Sequence, residues 1–343
     1  MIYSWCVIGA GPAGIAAVGK LIDFGVSEND ILWIDPSFSV GDLGSKWYNV
    51  SSNTKVDLFI RFLKECSSFS YGDAQEQFTI NELPPHETCL LGEVATPLQW
   101  ITNHLIEKVT PLKDKVLSLH QGKDGWVITG KKEEQQASKV ILATGAEPRH
   151  LSYPELEVIP LHVALNPEKL KEAVQPEDTI AVFGASHSGV LILENLLNAN
   201  PKEVYNFYRS SHLYAVDMGK WILFDNTGLK GRAAVWAKEN LDGIPPQKLH
   251  RCHVEKGEFE DQLARCNKVV YAVGFTPRQV PTIEPYPNPK YQETTGIIAP
   301  GLFGCGIAYP QAYIDPFGNK EHRVGLWKFM DYLNTVVPLW LKY

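Results

Sequence analysis

Three features of the sequence predict an α/β protein of two similar units, the second inserted in the first. An apolar stretch at residues 2–8 runs into a glycine-rich turn, VIGAGPAG, and then into a helix-like run. Residues 179–189 repeat that plan with the turn FGASHSG. The stretches KVILATGAEPR (139–149) and KVVYAVGFTPR (268–278) recur in register, one closing strand for each turn. The expected architecture is two Rossmann-like, three-layer ββα/α dinucleotide-binding domains. Residues 1–165 with 275–343 form the first, discontinuous one, and 166–274 form the second.

The first unit reads as strand 2–8, turn 9–14, helix 15–24 and strand 31–35, which ends in Asp35. Gly9 allows the tight turn, Gly11 lets a pyrophosphate reach the backbone, and Gly14 lets helix and strand pack closely. The helix start, with Pro12 and Ala13, faces the phosphates with unpaired N–H groups and a positive dipole end. Asp35, 21 residues after Gly14, is suited to a ribose diol. Helices are expected near 55–66 and 96–109, and a hairpin over 115–121 and 125–130 around Gly122 and Gly125.

The second unit reads as strand 179–183, turn 184–189, helix 190–198 and strand 203–208. Gly184, Ser186, His187, Ser188 and Gly189 form its turn, with a serine where the first turn has its middle glycine. Arg209-Ser210 stands 20 residues after Gly189, where the first unit has its acid. An arginine there pairs with a 2′-phosphate that an acid would repel, so the site is expected to prefer NADPH over NADH. Thr144-Gly145 and Gly274 end the two closing strands. Residues 281–292 read as a stiff, proline-rich connector. The apolar residues of 321–343 have helical spacing and are expected to pack on the body, with a homodimer or membrane surface as the alternative for Pro338 to Leu341.

The 343 residues carry a net charge of −7 and no basic block, which argues against a nucleic-acid partner. The first apolar run is too short for a signal peptide or a membrane span, so a cytoplasmic location is expected. The six cysteines contain no Cys-x-x-Cys pair, and His250, Cys252, His253 and Cys266 lack a metal-site spacing. No metal is expected.

Together these motifs resemble the two-dinucleotide-binding-domain flavoproteins. VIGAGPAG with Asp35 resembles their FAD site, and FGASHSG with Arg209 their NADPH site. GLFGCGIAYP (301–310) resembles the segment beside the flavin, with Gly306-Ile307 where many relatives have Gly-Asp. The thiol reductases of that superfamily need a redox cysteine pair that is absent here. The flavin-containing monooxygenases match better. Gly44-Ser-Lys-Trp47 resembles their glycine-tryptophan loop, and Tyr48 to Lys55 their stretch with an asparagine at the reactive flavin edge, which falls on Asn53. Of their F-x-G-x-x-x-H-x-x-x-W signature only the histidine, His162, is matched; Leu156, Val158 and Asn166 hold the other positions.

That resemblance implies an FAD- and NADPH-dependent monooxygenase. It would use molecular oxygen, through a flavin C4a-hydroperoxide, to oxygenate a small nucleophilic substrate such as an amine or sulfide. Asn53 would be the catalytic donor, and Trp47, Thr144, Gly145 and Gly306 would join the cofactor contacts. Two alternatives stay open: a reductase or oxidase with an external acceptor, and a nucleotide-binding sensor without turnover.

Overall fold

The structure is a computed structural model that describes residues 2–278, 281–287 and 289–343. Asn288, within the expected proline-rich connector, lies outside the described residues. The first sheet is centred on Tyr3–Ile8, which pairs in parallel with Ile31–Ile34 on one side and Glu134–Leu142 on the other. Thr110–Leu112 extends the sheet beyond Ile31–Ile34. The nine-residue strand Glu134–Leu142 serves two layers. Its first half pairs antiparallel with Gly125–Gly130, and its second half pairs in parallel with Leu302–Gly304. The hairpin expected around Gly122 is present as Val116–Gly122 and Gly125–Gly130.

One face of this sheet is covered by helices Pro12–Asp23, Val56–Glu65, Leu91–Ile106 and Leu326–Lys342. The meander covers the other face, through Trp126, Ile128 and Leu119. The result is the expected ββα order of layers. Leu91–Ile106 starts five residues before the expected position and keeps Pro97 inside it. Thr96 Oγ1 bonds the Gly92 carbonyl at 3.0 Å, the back-bond that a threonine commonly makes within a helix. In the C-terminal helix Phe329, Met330, Leu333, Val337 and Trp340 are all buried, so the tail packs on the body.

The second sheet is wholly parallel, in the order Glu157–Val158, Lys268–Tyr271, Thr179–Phe183, Glu203–Tyr208 and Leu249–His253. Such a sheet needs cover on both sides. Helices His187–Ala199 and Gly231–Asn240 supply one face, and a layer including Tyr153, Phe259 and Leu263 supplies the other. The sheets are joined by a two-stranded ribbon, Ala146–Pro148 against Phe275–Pro277. Among the described residues, no helix is long and apolar enough to cross a membrane.

Candidate active site

The two glycine turns are built by the same contacts. Gly9 donates to Ile34 O at 2.8 Å, and Gly184 to Phe207 O at 2.9 Å. Ala143 donates to Ile8 O at 2.9 Å, and Ala272 to Phe183 O at 2.8 Å. Both glycines have positive φ, +111° and +124°, a region costly for other residues. A Cβ on Gly14 would lie 1.9 Å from Gly9 O, and one on Gly189 would lie 2.7 Å from Gly184 O. Each helix is therefore pressed against its own turn. The Gly9 carbonyl also accepts from Trp33 Nε1 at 3.0 Å, and the Gly184 carbonyl from Asn206 Nδ2 at 2.8 Å.

The space above the first turn fits a diphosphate. A Cβ on Gly11 would meet nothing within 4 Å. Gly11 caps the Pro12–Asp23 helix without a side-chain bond, so Ala13 and Gly14 present the unpartnered amides of a helix start. Gly41 leans over the turn: its own Cβ would come within 3.1 Å of Gly11 Cα. Gly306, at φ +84°, sits against Ala13, whose Cβ an added side chain would meet at 2.7 Å. Thr144 Oγ1 is buried with no hydrogen-bond partner among the described residues, beside Gly145, where an added Cβ would meet Arg278 Nη1 at 3.8 Å. These groups fit a dinucleotide.

Asp35 is buried and accepts from Ala10 N at 2.8 Å, Ser37 N at 2.8 Å and Phe38 N at 2.7 Å. Its carboxylate thus holds the turn and the following loop together. Among the described residues Oδ2 takes only the Ala10 bond, and it keeps acceptor capacity for a hydroxyl. Trp47 packs edge-on against Phe275, with ring centroids 6.1 Å apart, and belongs to the core of the second unit. Asn53 lies in the strand Ser51–Lys55, whose pairing with Thr88–Leu90 is irregular between Ser51 and Lys55. Its Oδ1 accepts from Thr54 Oγ1 at 3.3 Å.

In the second turn, Ser186 is the N-cap of the His187–Ala199 helix and makes no side-chain cap bond. Ser188 follows in the first helical turn. His187 Nε2 lies 3.3 Å from the Ser51 carbonyl oxygen, so this turn touches the strand that carries Asn53. Gly274 is exposed, at φ +90°, with open space at its Cβ. Arg209 and Ser210 are exposed at the end of Glu203–Tyr208. His162 lies in the short helix Leu161–Ala164, its pKa lowered by burial and by Lys169 and Lys46 against the opposing charge of Asp42.

Two arginines join these sites without having been assigned to them from sequence. Arg278 approaches Gly145 and pairs with Asp42, one residue beyond Gly41. Its place in the repeated closing strand was the signal for it. Arg251 lies over the Tyr208 ring, 4.4 Å from its centroid, with Nη2 buried and unpaired among the described residues. Its place follows from the pairing of Asn206 with Arg251 across two strands. All six cysteines are free, and all but Cys89 are buried.

The family model described as pyridine nucleotide-disulphide oxidoreductase matches residues 3–282. A protein named as a monooxygenase, from Paecilomyces divaricatus, is 32% identical over 382 residues, covering 98% of this chain and 97% of that protein. Among solved structures, the ornithine N-hydroxylase of Kutzneria sp. 744 matches with a TM-score of 0.70 at 11% identity, over 100% of this chain and 99% of its own. The flavin-containing monooxygenase of Stenotrophomonas maltophilia matches at 0.66 and 15% identity, with the same coverage of both chains. The bacillithiol disulfide reductase of Staphylococcus aureus matches at 0.67 and 14%, again over 100% and 99%. At such identities these structures establish a shared fold.

Proposed function

The chain belongs to the pyridine nucleotide-disulphide oxidoreductase family, alongside a monooxygenase relative, and on that premise we propose an FAD- and NADPH-dependent monooxygenase. Its substrate in this reading is a small nucleophile, an amine or a sulfide, oxygenated through a flavin C4a-hydroperoxide. FAD belongs to the Gly9–Gly14 turn and NADPH to the Gly184–Gly189 turn. We assign 1–165 with 275–343 to FAD and 166–274 to NADPH, with the strand Glu157–Val158 and the helix Leu161–Ala164 packed on the NADPH unit. A cytoplasmic setting is part of this reading, supported by the free state of the six cysteines.

One observation carries this reading: two turns of matching geometry lie in one chain, and the second touches, through His187, the strand that carries Asn53. The cofactors supply hydride and oxygen chemistry; the protein supplies placement and a shielded, polar setting. Ala13 and Gly14 amides hold phosphate, and Asp35 Oδ2 holds a ribose hydroxyl. Arg209 with Ser210 receives the 2′-phosphate, supported by Arg251 nearby. Asn53 donates from its amide at the reactive edge of the flavin.

The test is spectroscopic. Purified protein should be yellow, and NADPH should bleach it without air far faster than NADH. Mixing with oxygen should then give a lasting absorbance intermediate, shortened by Asn53→Ala. Immediate return to oxidised flavin with stoichiometric peroxide would assign the protein to the reductase or oxidase reading instead.

A further inference from the structure

His187 is the first residue of its helix and reaches from the second turn to the strand that carries Asn53. The Ser51 carbonyl can only accept, so the 3.3 Å contact requires the proton on Nε2. In the neutral ring, Nδ1 is then a lone pair. That nitrogen is buried and has no partner among the described residues. Burial, seconded by Lys230 and opposed by the Ser51 bond, pushes the pKa of His187 down and keeps the ring neutral. Nδ1 thus waits for a donor, on a helix start that faces the nucleotide.

The other end of the contact is a strand whose ladder is interrupted. Its ladder skips between Ser51 and Lys55. Within the gap, Ser52 Oγ bonds Thr54 O at 2.7 Å, and Thr54 Oγ1 bonds Asn53 Oδ1 at 3.3 Å. Asn53 therefore lacks the backbone pairing that would fix it, and the Ser51 carbonyl is an anchor two residues away.

We propose that His187 is a positioning residue that couples the two sites: a hydroxyl or amide donor of the bound nicotinamide nucleotide fills Nδ1, and the fixed ring holds Ser51 and thereby Asn53. The inference rests on the assignment of NADPH to the second turn. It adds that nucleotide occupancy sets the order of residues 51–55.

Amide hydrogen exchange of the holoenzyme, with and without saturating NADP⁺, tests this. In the wild type, NADP⁺ should slow exchange of residues 51–55 by about fivefold, the worth of one neutral hydrogen bond. His187→Ala should abolish that slowing even at concentrations that saturate its weakened site. His187→Gln, whose amide can still donate to Ser51, should restore it. Calorimetric titration of NADP⁺ separates the two levels. A wild type that binds NADP⁺ but shows no change at 51–55, or slowing that survives in a folded His187→Ala protein, overturns the coupling alone. A wild type that does not bind NADP⁺ overturns the site assignment and the coupling with it.

Discussion

Gly9 and Gly184 are 2.3 Å twins: an added Cβ would lie that far from Ala143 O at the first and from Ala272 O at the second. The contacts are with backbone, which cannot step aside as a flexible side chain does. At both positions φ is also in the region that favours glycine. The equivalence of the two halves is thus set at the level of single atoms.

Gly9→Ala should therefore destabilise the fold by at least about 1–3 kcal/mol, the range for a non-glycine residue held in strained backbone. Gly11→Ala should melt like the wild type, because nothing lies within 4 Å of its added carbon. It should instead be purified with little flavin. Thermal melting and the ratio of visible to ultraviolet absorbance check both expectations.

Arg209 is exposed at the strand end and makes no ion pair among the described residues. Removing its charge should hurt only the phosphorylated nucleotide. Charge-assisted hydrogen bonds contribute roughly 1.5–3 kcal/mol, so Arg209→Gln should weaken NADPH binding by about ten- to a hundredfold. NADH binding should be unchanged. Equilibrium titration with each nucleotide reads the difference, and equal losses for the two would refute the assignment.

Asp178 is buried at the start of the Thr179–Phe183 strand and pairs with Lys268 at 2.9 Å. Burial pushes its pKa up, but bonds from the Gln175 amide, Asn267 and Lys268 outweigh it, and the net shift is downward. The stability from this carboxylate is present above its unfolded pKa, near 3.8, and is lost as pH falls through the lower folded value. Asp178→Asn should flatten the acid limb of the stability curve below about pH 4, with the sharpest difference from wild type at neutral pH. Urea melts from pH 2 to pH 7 measure it.

Burial raises the thiol pKa throughout, to about 11 at Cys89, about 12 at Cys266 and about 12 at Cys305. Few thiolates form near neutral pH, so these thiols are poor nucleophiles. Cys89→Ser should leave NADPH oxidation unchanged, and alkylation at pH 7.5 should be slow at every cysteine. Rapid inactivation by a thiol reagent would point to a thiol-based mechanism.

The central strands, both turns and the hairpin were legible in sequence because they rest on local rules. Glycine spacing reports backbone clearance, and a buried parallel strand shows as an unbroken apolar run. Helix Leu91–Ile106 was misjudged at its start because Pro97 reads locally as a first-turn residue, while packing of Val94, Leu98 and Ile101 carries the helix through it. Arg251 was hidden for a different reason. Its approach to Asn206 and Tyr208 exists only through strand register, across 45 residues of chain. The contact of His187 with Ser51, across 136 residues, was equally out of reach.

The ribbon of Ala146–Pro148 and Phe275–Pro277 has one more consequence. Arg149 N bonds Gly274 O at 2.9 Å, and Arg278 N bonds Gly145 O at 3.1 Å, so departing and returning chains are stapled to each other at one gateway. A short loop from Pro148 to Phe275 would span neighbouring strands at small entropic cost. The parallel-sheet half is thereby a cassette: it can be lifted out or exchanged for another while the polypeptide on either side keeps its path.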